Sequence, residues 1–272
     1  VEQPKTWPAL DIEPADDFVE AFLIDFNLAA IDGSRFFFHT EPDRDRAAAA
    51  LREAYPGHRL SAIDVPDEDW AARSQAALRA VRVGRIIVAP PWDVPDAASL
   101  APDVNVLIIR PSMGFGTAHH ATTRLCLAAL QQIDLQDRTL IDVGTGSGVL
   151  AIAARRLGAP AVLAIDDDPD AIAAAEDNVR LNNETRIALD IVDLRSSAIG
   201  RFDAVTANLT GGLLIAAATR LRSFARPGGR LILSGFMDHE EADVLHAFAG
   251  CDVESRAQED EWVCAVLGTP RA

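Results

Sequence analysis

The chain predicts an α/β protein. Its main body is a parallel sheet covered by helices and finished by an antiparallel edge hairpin, and a small α+β lobe stands ahead of it. Three observations carry this. Strand-like and helix-like segments alternate through the last 170 or so residues, the pattern of a parallel sheet covered on both faces. The apolar run Leu140, Ile141, Asp142, Val143 leads into Gly144, Gly146 and Gly148 and at once into an Ala/Leu-rich helix at 149–157; glycine belongs where a backbone bends sharply or lets a ligand sit against it. The last two strands, 251–255 and 262–267, are separated by a short acidic turn at 259–261, so they must pair antiparallel.

Taken in order, residues 1–66 read as β-α-β-α-β: a strand at 7–12, a helix at 16–28 with apolar Phe18, Phe22, Leu23 and Phe26, a strand at 34–39, an Ala-rich helix at 44–55 and a strand at 59–65. This is a small sandwich of ferredoxin-like character. Residues 67–104 read as a connection, with a linker helix at 69–81. An extended stretch at 88–103 is stiffened by Pro90, Pro91, Pro95 and Pro102. The domain at 105–272 then carries strands at 140–143, 161–165, 187–192, 201–208 and 227–235, with helices at 169–182, 211–226 and 238–249 filling the gaps.

The second strand of the glycine unit ends in Asp166, Asp167 and Asp168. A carboxylate at that tip is placed to hold the two hydroxyls of a ribose, which points to an adenosine-containing cofactor. The nicotinamide and flavin fingerprint is G-x-G-x-x-G, whereas here the spacing is G-x-G-x-G with Asp142 two residues ahead. A negative charge there opposes a pyrophosphate at the helix N-terminus and suits a ligand with an amino group and a sulfonium. S-adenosylmethionine (AdoMet) is such a ligand. Asp142 either reaches the ammonium through water or caps the following helix. Asp193 is a further candidate, for the adenine amino group, or a plain surface acid.

Of 272 residues, 49% are hydrophobic, ample for a core, and no apolar run reaches membrane-spanning length. The proline-interrupted acidic start does not read as a signal peptide. Cys126, Cys251 and Cys264 lie in apolar segments without metal-ligand spacing, so they read as buried thiols in a reducing cytoplasm, with no metal site expected. The net charge of −16 disfavours nucleic acid; it reflects either attraction to a basic partner or solubility. Residues 1–70 hold sixteen acids against six bases.

Upstream of the glycine run stand Met113 to Leu127, including Phe115, Gly116, Thr117, His120, Thr122 and Thr123. Together with Asp142 to Gly148, with Ile165, Asp166, Asp168 and Pro169, and with Ala207 and Asn208, they closely resemble the PrmA family of ribosomal protein L11 methyltransferases. The likeness runs from about Asp69 to the end. It departs at Ala118, where the family has glycine, and at Arg110 and Ser112, where Asp and Gly are commoner. The resemblance implies a class I methyltransferase fold, Rossmann-like, using S-adenosyl-L-methionine. It implies Thr123, Gly144, Asp166 and Asn208 as AdoMet contacts, with Asp142, Gly146 and Gly148 around them, and an N-terminal lobe that grips a protein substrate. The expected reaction is methyl transfer to lysine or N-terminal amines of L11, by a cytoplasmic monomer that uses neither nucleic acid nor membrane. The alternative is another protein or a small molecule as acceptor.

Asn208 stands where other amino-methyltransferases carry an Asn-Pro-Pro-Tyr motif; its amide oxygen is suited to orient the incoming amine. The aromatic wall of that motif is missing here. Phe115 either supplies an aromatic face for the sulfonium or is a core residue. His120 and its neighbour His119 either take the amine proton or are structural, and Thr122 is the expected cap of the helix bearing Cys126. A non-catalytic AdoMet-fold module and a dinucleotide oxidoreductase are the rival classes. The intact glycine run, Asp166 and Asn208 weigh against the first, and the glycine spacing weighs against the second.

Overall fold

The computed structural model describes residues 6–14, 19, 22–23, 26–66, 78–111, 120–194 and 199–271. The chain divides into two compact units, Val1–Leu78 and Arg79–Ala272.

The first unit is a four-stranded antiparallel sheet of β1 (Thr6–Glu13), β2 (Leu28–Asp32), β3 (Arg35–Phe38) and β4 (Arg59–Pro66), in the order β2-β3-β1-β4. Helix α1 (Glu41–Ala54) starts at Thr40, whose hydroxyl accepts from the Asp43 N–H, with Pro42 in the first turn where its missing N–H costs nothing. Its apolar stripe Ala47, Ala48, Leu51 packs on Leu10, Ile12, Phe36 and Phe38, and Val19 and Leu23, both helical and fully buried, join them. Phe37, one residue out of phase, points to the other face with Ala9 and Val65. Asp11 and Arg35, paired in register, form a two-point ion pair at 2.6 and 2.9 Å.

Strand β2 corrects the sequence reading, which ran a helix to residue 28. Asn27 adopts a left-handed φ of 57° before β2, and Gly33 with φ 58° makes the two-residue turn that pairs Asp32 with Arg35. The extra strand completes the β-α-β-β-α-β order of a ferredoxin-like lobe. Residues 69–77 of the expected linker helix lie outside the described residues.

The expected connection at 67–104 is divided, because residues from Arg79 onward belong to the second unit. Strands β5 (Val81–Val83) and β6 (Ile86–Ala89) form a hairpin through Gly84, and β7 (Asn105–Ile108) pairs parallel to β6. Ile86, Val88, Leu107 and Ile109 are buried in the main core. Apolar alternatives to a solvated linker win here: these four side chains are at most 2% exposed.

The main sheet has seven strands in the order β10-β9-β8-β11-β12-β14-β13: β8 (Leu140–Val143), β9 (Val162–Asp166), β10 (Ile187–Ile191), β11 (Phe202–Asn208), β12 (Ala225–Met237), β13 (Asp252–Glu259) and β14 (Trp262–Gly268). β14 alone pairs antiparallel, with both β12 and β13, giving the expected edge hairpin. One face packs α2 (Ala121–Leu130), α3 (Val149–Arg156) and α4 (Pro169–Leu181); the other packs α5 (Gly211–Phe224) and α6 (Glu241–Ala247). Leu140 joins the first core and Ile141 and Val143 the second, so β8 is buried on both sides. The chain runs outward from β8 through β9 to β10 and then returns to β11 on β8's other side. That reversal opens a crevice at the carboxyl ends of β8 and β11, the place where open α/β sheets bind ligands.

Helix α4 also supplies side chains where β7 has no strand neighbour. Asn182 accepts from the Ile108 N–H at 2.9 Å and donates to the Ile108 carbonyl at 2.7 Å. Asn178 accepts from the Arg110 N–H at 2.8 Å. These carboxamides supply partners to backbone groups at the end of β7.

Candidate functional site

The crevice is built by the loop from β8 to α3. Gly144, Gly146 and Gly148 have φ of 70°, 51° and 79°, a region side chains avoid. A Cβ on Gly144 would lie 2.4 Å from Leu209 Cδ2, so the loop and the end of β11 are in direct contact. The Gly144 and Thr145 N–H groups both donate to the Ile165 carbonyl, at 2.9 and 3.0 Å, laying the loop across the end of β9. Gly148 is the N-cap of α3 and contributes no side-chain bond. Leu209 and Ala175 fill the space on the Cβ side of Gly144 and Gly148, so these glycines let neighbouring side chains pack directly against the loop.

Asp142 is 1% exposed. Its Oδ2 accepts from Thr145 Oγ1 at 2.7 Å and its Oδ1 from Thr206 Oγ1 at 2.6 Å. Burial raises its pKa to about 6, opposed by those two hydroxyls and reinforced by the nearby Asp166 charge. The carboxylate is therefore ionised at neutral pH and spent on bracing the loop against β11. It also accepts from the backbone N–H of Ala151 in the first turn of α3, so it caps that helix, one of the two roles its position suggests.

Asp166 closes β9. Its Oδ2 accepts from the Gly146 N–H at 2.9 Å and its Oδ1 from the Asp168 N–H at 3.2 Å. Each oxygen keeps a further lone pair, so the half-buried carboxylate can still accept two ligand hydroxyls. Asn208 ends β11, level with Ser234 of β12. It is half-buried and its carboxamide takes no hydrogen bond among the described residues.

Thr123 is buried in the first turn of α2. His120 is the N-cap of that helix, correcting the expectation of Thr122. Its Nδ1 accepts from the Thr122 N–H at 3.4 Å and lies 2.8 Å from Thr122 Oγ1, and its ring packs edge-on to Trp262 at 4.8 Å. One ring nitrogen is thereby committed to structure. Arg124 of α2 reaches Glu259 on β13 at 2.9 and 3.2 Å. Phe115, His119, Ala118 and Ser112 lie outside the described residues. Asp193 is exposed beyond β10. The sequence reading missed Thr145, Thr206, Asn178 and Asn182. The two asparagines left a signal: polar residues four apart on a helix face that also carries Ala175 and Val179.

The arrangement gives a glycine loop, an ionised acid beneath it, a carboxylate with open lone pairs at one strand tip and, at the next, a carboxamide with no partner among the described residues. The family model described as "Ribosomal protein L11 methyltransferase (PrmA)" matches residues 32–269, reaching further into the first unit than the motifs do. A ribosomal protein L11 methyltransferase of Geobacter sulfurreducens is 41% identical over 226 residues, 82% of this chain and 73% of that protein. One from Pelobacter propionicus is 36% identical across 91% of this chain and 85% of its own length. The crystal structure of a ribosomal protein L11 methylase from Lactobacillus delbrueckii subsp. bulgaricus superposes with a TM-score of 0.66 at 28% identity, over 71% of this chain and all of that one.

Proposed function

This chain belongs to the ribosomal protein L11 methyltransferase family, and from that premise we propose that it moves methyl groups from AdoMet to lysine or N-terminal amines of ribosomal protein L11. The observation that carries the reading is the meeting of the Gly144–Gly148 cradle, the Asp166 carboxylate and the Asn208 carboxamide, which has no partner among the described residues, at the turning point of the sheet.

AdoMet supplies an electrophilic methyl group on a sulfur that leaves readily. The protein's part is alignment and exclusion of water. In this reading Asp166 holds the ribose hydroxyls, and Gly144 and Gly146 let the backbone approach the methionine portion. Asp142 adds a negative charge under the ligand's cationic end, and Thr123, in the first turn of α2, is the further contact that the family likeness implies. Asn208 accepts a hydrogen bond from the amine N–H and turns the nitrogen lone pair toward the methyl carbon. His120 acts through the helix it caps.

The Val1–Leu78 unit is assigned to substrate recognition: its acidic excess complements a basic ribosomal protein. Among the described residues no helix is long and apolar enough to cross a membrane. We place the reaction in the cytoplasm, carried out by a monomer on free L11 rather than on nucleic acid. The test is to incubate the chain with AdoMet and purified L11 and weigh the product. Methyl-mass increments on L11 amines are expected. An unchanged L11 in the presence of bound AdoMet overturns the substrate and moves the reading to another acceptor.

A further inference from the structure

Asn178 in α4 and Asn182, the residue that caps its end, sit one turn apart, 1% and 4% exposed, but their carboxamides join different things. Both of Asn182's bonds to β7 close on one residue, Ile108. Asn178 spans two separate pieces of chain: Oδ1 accepts from the Arg110 N–H at 2.8 Å, and Nδ2 donates to the Ser147 carbonyl at 2.9 Å. Ser147 lies between Gly146 and Gly148 in the cradle. Arg110 is where the chain leaves β7 toward the 113–123 motif.

We propose that Asn178 is a positioning residue for the methyl donor, fixing the separation between the glycine loop and the strand end at Arg110. The loop cannot set its own shape, since its three glycines are free to move through left-handed and right-handed conformations alike and Gly148, the N-cap residue of α3, offers no side chain. Its form is imposed from outside at successive residues: Asp142 on the Thr145 hydroxyl, Asp166 on the Gly146 N–H, Asn178 on the Ser147 carbonyl. Among these three, only Asn178 also holds backbone at Arg110. A buried carboxamide with donor and acceptor both used is a rigid two-ended strut. Its loss releases one bond on each side while leaving Asp142, Asp166 and Asn208 in place. The inference rests on the reading that this loop binds AdoMet.

The test titrates AdoMet calorimetrically into the full chain, Asn178→Ala, Asn178→Ser and Asn182→Ala, with melting temperatures and kcat at saturating AdoMet measured alongside. Asn182→Ala serves as the structural control and is expected to melt lower with an unchanged Kd. Asn178→Ala is expected to raise Kd about tenfold, the scale of one lost buried hydrogen bond, with a smaller change in kcat. Asn178→Ser, whose hydroxyl is too short to span both partners, shows the same split if the alanine variant does not fold. Asn178 variants that melt lower like Asn182→Ala but keep the original Kd overturn the inference alone. An unsubstituted chain that binds no AdoMet overturns the cofactor reading itself.

Discussion

Asp142 and Asn208 stand near the ends of adjacent strands, and the molecule uses them in opposite ways. Asp142 is buried and both its oxygens are occupied, one by a hydroxyl of its own loop and one by Thr206, its register partner on β11. Asn208 lies two residues beyond Thr206, half-buried, with nothing bonded to its carboxamide among the described residues. The first residue is consumed in holding the crevice open and in shape. The second is left with unspent hydrogen-bonding capacity at its mouth. Polar side chains that are already satisfied make scaffold; those that are not await a ligand.

The largest effect should come from the unspent side chain. Asn208→Ala is expected to lower kcat by roughly a hundredfold, the scale of a lost orienting contact, while AdoMet Kd and melting temperature stay close to those of the parent; rapid-quench methyl transfer and calorimetry read the two apart. An equal loss in Kd would make Asn208 a binding group and blur the contrast. Next, Asp166→Ala should weaken AdoMet by at least about tenfold, since charge-assisted hydrogen bonds are worth about 1.5–3 kcal/mol, with kcat at saturation less affected.

Asp142 should reveal itself through stability and pH. Its folded pKa of about 6 lies above the ordinary 3.8, so the native state retains a proton that the unfolded chain has released. The stability this gives is full below pH 3.8 and is lost as pH rises through 6. Asp142→Asn abolishes the titration and keeps the bonds, because the Thr206 hydroxyl can turn to the Ile141 carbonyl at 3.4 Å. Across that pH window the parent should therefore lose about 3 kcal/mol relative to Asp142→Asn, seen by denaturant unfolding at a series of pH values. Parallel stability curves would mean that Asp142 is not buried in the way described. The smallest effect is expected of Gly144→Ala, which combines a left-handed φ with a clash against the movable end of Leu209. A loss of about 1–2 kcal/mol and a modest rise in AdoMet Kd are expected.

The same contrast explains what could be read from the chain alone. The glycine run, the acid at the tip of β9 and Asn208 are local: each announces itself by residue type and by distance along the sequence from a strand end. The roles of Thr206 and Asn178 are not local. Thr206 meets Asp142 across 64 residues and Asn178 meets Arg110 across 68, so only the folded sheet brings them together. β2 escaped because Leu28–Asp32 directly follows a phenylalanine-rich helical pattern, although the Asp32-Gly33 pair is a hairpin signal. The β5–β7 sheet was hidden by prolines between its second and third strands, which suggested a solvated linker where buried isoleucine and leucine decide otherwise. His120 was weighed as a base on its chemistry, and its Nδ1 turned out to be a helix cap because the helix begins one residue later.

The most direct test is a calorimetric titration of the intact chain with AdoMet and, separately, with NADH. Saturable uptake of one AdoMet per chain and no heat from NADH are the results this account requires. Binding of NADH in place of AdoMet would contradict it, for it would show that the crevice between β8 and β11 was built for a pyrophosphate and that Asp142 presents no obstacle to one.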